Sequence, residues 1–166
     1  PILKSNLYLG EVWDTRLFLT DLEETEVLEG DFIPDRLERQ VCPSDRIIRE
    51  IKPELVWQKN TRLMYDAGET IPGWVKLSVR GTPGSRITMR FAEELEEDEL
   101  WFQSSGGYCT CASGRKQIQE DCFILNGEEQ VLAPLFVWHG FRYFDMEVEG
   151  DAALMDVRVE VIHTDI

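Results

Sequence analysis

Residues equipped for catalysis are scarce in this sequence. Its two histidines, His139 and His163, lie far apart, no serine sits in a G-x-S-x-G elbow, and no glycine-rich phosphate loop is present. Nucleophilic triads and hydride transfer therefore drop out on residue supply. Cys109 and Cys111, with Cys122 and a histidine, could assemble a zinc site. The C-x-C spacing is weaker than a C-x2-C knuckle, however, and no second pair accompanies it, so reduced thiols are the expectation. The acidic run from Glu93 to Glu99 lacks the D-x-D-x-D-G order of a calcium loop and reads as a solvated charged rim. Glycoside hydrolysis needs two carboxyl groups facing each other across a sugar at about 5 to 9.5 Å. Nothing in the sequence selects such a pair from its 32 acids. No catalytic residue, metal ligand or cofactor is assigned.

Aromatic side chains are the remaining functional resource. Trp74, Trp101 and Trp138 fall on or beside strand faces that otherwise carry polar groups. A flat indole can stack on the apolar face of a pyranose while neighbours such as His139 and Arg142 take its hydroxyls. The same residues could instead lie beneath loops or against another domain. Sugar binding and domain docking both stay open for Trp74, Trp101, Trp138, His139 and Arg142.

Strands must position these groups. In the stretch LFVWHGFRYFDMEVE (Leu135 to Glu149), Phe144, Met146 and Val148 point one way and Tyr143, Asp145, Glu147 and Glu149 the other. That alternation predicts a central strand with one dry face, entered through a kink at Gly140. Val75, Leu77 and Val79 alternate in the same way, as do Ile87, Met89 and Phe91, and Gly81-Thr82-Pro83-Gly84 between them has a tight-turn composition. An antiparallel hairpin is expected there, with Glu93 at the end of the dry row finding a partner at the sheet rim. Arg46 to Ile51, Leu55 to Gln58, Arg62 to Ala67, Asp121 to Leu125, a strand from Gln130, and Leu154 to His163 complete the set. In the last, Val157, Val159, Val161 and His163 share a face. The segment from Glu94 to Glu120 loses the alternation and reads as a functional or mobile excursion. No helical stripe with caps and no internal repeat is found. The fold class is all-β, an antiparallel β-sandwich or jelly roll.

At 166 residues the chain suits one ordinary domain able to bury a core. Residues 1–40 read as an N-terminal arm and acidic linker, and residues 41–166 as the sandwich. The 17 Lys and Arg stand against 32 Asp and Glu, a formal charge of −15. That balance disfavours nucleic acid and anionic membrane surfaces as partners. No apolar run approaches a membrane span and no signal peptide is visible. The chain begins at Pro1, so whatever preceded it is expected to have carried any targeting signal. Four cysteines in a chain with its own core suggest free thiols in a reducing, cytoplasmic compartment.

Several segments together resemble one family, the bacterial α-L-rhamnosidases of glycoside hydrolase family 78. LYLGEVWDTR (Leu7 to Arg16) resembles its Y-x-G-E-x-Y-D-A-R, and DAGETIPGWVKLSVRGTPGSRITMRFAEEL (Asp66 to Leu95) resembles its long D-F-G-Q-N-x-x-G-W segment. DCFILNG (Asp121 to Gly127), LAPLFVWHGFRYFDMEV (Leu132 to Val148) and VIHTD (Val161 to Asp165) follow in family order. Glu69 and Thr70 depart from the usual Gln and Asn. The resemblance implies a concanavalin-like β-sandwich without catalytic residues, lying before an (α/α)6 barrel whose acids hydrolyse terminal α-L-rhamnosyl residues. It implies that barrel as a partner within the same parent chain, and a rhamnose-containing carbohydrate as a further partner. The first arm would be the trailing edge of a preceding β-domain. A carbohydrate-binding module with its own sugar site is the alternative.

Overall fold

A computed structural model describes residues 1–17, 30, 38–105, 109–110 and 116–164, with backbone alone at 109–110 and 116–117. Its strands are β1 (Ile2–Asn6), β2 (Gly10–Asp14), β3 (Asp45–Ile51), β4 (Glu54–Lys59), β5 (Arg62–Gly81), β6 (Arg86–Ala92) and β7 (Leu95–Glu96). They continue with β8 (Glu99–Leu100), β9 (Cys109–Thr110), β10 (Lys116–Gln117), β11 (Glu120–Ile124), β12 (Glu129–Leu132), β13 (His139–Glu149) and β14 (Ala152–Thr164). The main sheet runs β1-β2-β11-β6-β13-β5-β14-β3, with β4 and β12 also paired to β5. The β2/β11 pairing is parallel, and the other pairings of this sheet are antiparallel.

The 20-residue strand β5 turns this sheet into two layers. Its first half lies between β4 and β13, and its second half between β12 and β14. The corner is a wide bulge. Asp66 pairs with Tyr143 and Ile71 with Phe141, so residues 67–70 stand opposite Arg142 alone, with Gly68 at φ +86°. Extra length on one strand forces a bend. The kink expected at Gly140 thus falls beside it, and Gly140 itself pairs regularly with Pro72. The separate strands expected at 62–67 and 74–80 are one.

The hairpin expected at Gly81-Thr82-Pro83-Gly84 is corrected. β5 and β6 are not neighbours in the sheet: β6 pairs with β11 and β13, in the opposite layer. Val75, Leu77, Val79, Ile87, Met89 and Phe91 are all fully buried in one cluster. The alternation identified the dry faces correctly, but these meet across the core rather than along a shared edge.

Two further readings change. Asp145, expected on a wet face, is 1% exposed, because Arg90 at 2.8 Å and Arg62 both pair with it. Beside that ionic cluster Met64, Ala92 and Leu100 form a second, smaller core under the β7–β8 hairpin. His163 leaves the face of Val157, Val159 and Val161, since a register shift between Val161 and Ile162 buries Ile162 instead. The strand expected from Gln130 is β12, which ends at Leu132, and a loop over 133–138 separates it from β13. Within the expected excursion, β7, β8 and a 3-10 turn at Phe102–Ser104 are ordered around buried Leu100, while 106–108 and 111–115 lie outside the described residues. The acidic connection from Asp21 to Asp35 also lies outside them apart from Gly30.

Candidate interaction site

The loop 133–138 is built from below. Glu11 on β2 has no exposed surface, and its carboxylate accepts four hydrogen bonds. Oε1 takes Ser5 Oγ at 2.9 Å and the Phe136 amide at 3.0 Å, while Oε2 takes Trp13 Nε1 at 2.8 Å and the Leu135 amide at 2.9 Å. A buried carboxylate is tolerated when donors surround it in this way. The effect is to fix the loop backbone while Leu135, Phe136 and Trp138 stay 65%, 66% and 46% exposed. Gly10 permits the approach of β2: its φ is +104°, and a Cβ there would lie 2.0 Å from the Glu120 carbonyl oxygen. Arg16 closes the arm by pairing with Asp14 through Nη2 at 2.7 Å, which lowers the Asp14 carboxyl below its ordinary range.

Behind the loop lies a second buried network. Asp121 on β11 accepts the Glu11 amide at 2.9 Å on Oδ1 and faces His139 Nε2 at 2.9 Å through Oδ2. His139 Nδ1 lies 3.0 Å from Gln119 Oε1, and the ring stacks on Phe91 with centroids 4.3 Å apart. Gln119 in turn reaches Ser105 and the Gly140 carbonyl.

The five residues singled out from sequence have different surroundings. Trp138 is exposed beside Leu135 and Phe136, as a docking residue must be. His139 is a correction: at 0% exposure it can touch neither sugar nor another domain, because Asp121 and Gln119 occupy both its nitrogens. Trp74 is half-buried, with Nε1 donating to Glu160 Oε2 at 2.7 Å, and Lys76 pairs with the other oxygen of that acid at 2.6 Å. Trp101 donates to Gln103 at 3.0 Å. Arg142 clamps Asp66 with two hydrogen bonds of 2.9 Å across the β5 bulge, holding the Asp66 carboxyl below its ordinary range. Pairing across β5 and β13 sets His139 opposite Gly73. Trp101 and Arg142 belong elsewhere.

Glu11, Asp121 and Gln119 were not singled out from sequence. A signal for two of them existed, since Glu11 lies in LYLGEVWDTR, Asp121 in DCFILNG and His139 in LFVWHGFRY, three of the segments that carry the family resemblance. The structure brings these three to one place. Cys42 and Cys122 are unbridged, and burial raises the Cys122 thiol. The Cys111 position and the Cys109 side chain lie outside the described residues. Two shallow depressions, of about 360 Å³ beside Pro83 and Gly127 and about 290 Å³ beside Asn60 and Gly150, are lined by turn and strand residues outside this loop.

Residues 57–163 match the family model of the bacterial α-L-rhamnosidase concanavalin-like domain. The chain belongs to that family. An α-L-rhamnosidase from Formosa agariphila is 27% identical over 181 residues, covering 100% of this chain and 18% of the relative. One from Streptomyces avermitilis is 28% identical, covering 99% and 16%. The solved structure of an Aspergillus terreus α-L-rhamnosidase superposes with a TM-score of 0.78 at 26% identity, over 100% of this chain and 20% of that one. The Streptomyces avermitilis enzyme complexed with L-rhamnose gives 0.78 at 26%, over 99% and 16%. The concanavalin-like domain thus spans less than a fifth of the length of the curated relatives it matches.

Proposed function

We propose that this domain is a non-catalytic β-sandwich that braces the catalytic part of an α-L-rhamnosidase-like glycoside hydrolase, whose activity is hydrolysis of terminal α-L-rhamnosyl residues by acids on an (α/α)6 barrel of the same parent polypeptide. The loop bearing Leu135, Phe136 and Trp138 is its docking surface. One observation carries this reading: three large apolar side chains stand open to solvent on a backbone held by a fully buried carboxylate. A rigid, exposed apolar loop suits a partner surface, because ordering it on contact costs little further entropy. The end-to-end match to much longer rhamnosidases supports another domain of such a polypeptide as the occupant. The β1–β2 hairpin, joined to the sheet by a parallel pairing, serves as the trailing edge of a preceding β-domain.

The buried acids support the absence of catalysis. Glu11, Asp14, Asp121, Asp145 and Glu160 each face hydrogen-bond donors or cations of this domain. The test has two parts. The isolated chain should release no nitrophenol from nitrophenyl α-L-rhamnoside, and its tryptophan fluorescence should stay flat on titration with L-rhamnose. Sustained release would overturn the scaffold reading, and saturable quenching would favour a sugar-binding module. In the parent polypeptide, Phe136→Ser should weaken the hold between this domain and the remainder, measured as earlier proteolytic separation, while the isolated domain keeps its stability within about 0.5 kcal/mol.

A further inference from the structure

A glycine inside a strand weakens it, and its usual reasons are a left-handed backbone, a bulge, or the close approach of another group. Gly140, the second residue of β13, has neither of the first two: it is not one of the positive-φ glycines, and it pairs in register with Pro72. Crowding by this domain does not account for it either. A Cβ at Gly10 or Gly73 would lie 2.0 or 2.1 Å from a backbone carbonyl oxygen, whereas one at Gly140 would meet, among the described residues, only Glu93 Oε1 at 3.9 Å. The approach that this bare position accommodates therefore comes from beyond the described residues.

The surroundings say what kind of group fits. His139 and Phe141 are buried on either side of Gly140, so its open side faces outward. Opposite it on β5, Pro72 is exposed between buried Ile71 and Gly73. A proline ring and a bare backbone make a low, flat floor. At its rim stands Glu93, half-buried one residue beyond β6. The rim partner expected for this acid is not found, and among the described residues Glu93 makes no hydrogen bond or ion pair. Asp66, Asp145 and Glu160, by contrast, are each paired with Arg or Lys. An unpaired carboxylate beside an open floor, on a chain of formal charge −15, is complementary to a positive side chain brought by a partner. Lys and Arg also carry the aliphatic stem that such a floor takes, with the charged head left free to reach the acid.

We propose that the docking surface continues from the Trp138 loop across Gly140, and that the partner domain lays a lysine or arginine side chain over Gly140 with its cationic head against Glu93. The inference rests on the docking function proposed above. Continuity supports it, since Trp138 is exposed and directly precedes β13, two positions before Gly140.

The test is made in the parent polypeptide, by the rate at which limited proteolysis separates this domain from the remainder, with the Tm of the isolated domain as the check on folding. Gly140→Leu fills the floor. It should leave the isolated domain within about 2 °C of its original Tm and speed separation about tenfold or more, because the partner's side chain can no longer enter. Glu93→Gln should also speed separation, and Glu93→Lys should speed it further, since cation then meets cation. Raising the salt to about 1 M should narrow the gap between those two variants. Separation no faster with Glu93→Lys than with Glu93→Gln would overturn the cationic occupant. A Gly140→Leu parent that separates at the unsubstituted rate would overturn the covering of Gly140, and the loop docking would survive if Phe136→Ser still speeds separation. Gly140→Leu acting where Phe136→Ser does not would strike the loop from the docking surface and keep the Gly140 contact. A larger fall in the Tm of the isolated Gly140→Leu domain would mean that this domain's own chain covers Gly140. Quenching of tryptophan fluorescence by L-rhamnose that Gly140→Leu abolishes would make a sugar the occupant. Either result overturns the proposal.

Discussion

Replacing Glu11 by glutamine is the most direct test of how the docking loop is held. The carboxylate has two acceptor oxygens, each serving two donors. Glutamine keeps one acceptor and puts an NH2 group against the donors on the other side. If the NH2 takes the Oε2 position, it meets the Trp13 indole N–H and the Leu135 amide, and both are left unpaired. A buried donor without a partner costs about 1–3 kcal/mol, so two cost about 2–6 kcal/mol. Leu135 is exposed and its amide can relax toward water, which points to the lower half of that range, about 3 kcal/mol. At about 2–4 °C per kcal/mol for a domain of this size, Tm should fall by about 6–12 °C. Against a total stability of about 5–15 kcal/mol the variant remains folded. Urea unfolding followed by tryptophan fluorescence gives the stability change. Hydrogen exchange should show the Leu135 and Phe136 amides opening about a hundredfold more often, the ratio that about 3 kcal/mol implies. Glu128→Gln, at an exposed position, is the control and should stay within about 0.5 kcal/mol. A Glu11→Gln domain as stable as that control, with both loop amides still protected, would refute the clamp.

Two glycines with positive φ should respond differently to alanine. Gly10→Ala sets a Cβ 2.0 Å from the Glu120 carbonyl and should cost more than about 3 kcal/mol, whereas Gly68→Ala, with open space around it, should cost only the left-handed backbone penalty of about 1–2 kcal/mol. Equal losses in urea unfolding would contradict the close approach of β2 to β11. Lys52 and Arg158 hold the Asp156 carboxyl down at about 2, against an ordinary value of 3.8. A depressed folded value means that this stabilisation is present above about pH 4 and is lost as pH falls toward 2. Asp156→Asn should therefore flatten the fall in urea midpoint across that window, and more weakly at high salt because the groups are exposed. Parallel acid limbs for the two proteins would remove Asp156 as a cause.

What the sequence decided by itself was which side chains are dry. Period-2 alternation is a local property, and it marked Val75, Leu77 and Val79, then Ile87, Met89 and Phe91, then Phe144 and Met146, all of them fully buried. Alternation carries no statement about which edge a strand pairs along, and that choice belonged to tertiary structure. β5 and β6, joined by a good turn sequence, lie in different layers, because three extra residues opposite Arg142 bend β5 out of one sheet and into the other. The buried charges show the same division. Asp145 reads as a surface acid until Arg62 and Arg90 arrive from other strands. The Glu11 carboxylate meets loop amides 124 and 125 positions away, contacts that no local pattern encodes. Burial of a charge depends on donors brought from elsewhere, so the fold was legible strand by strand, and the site only once the layers had closed.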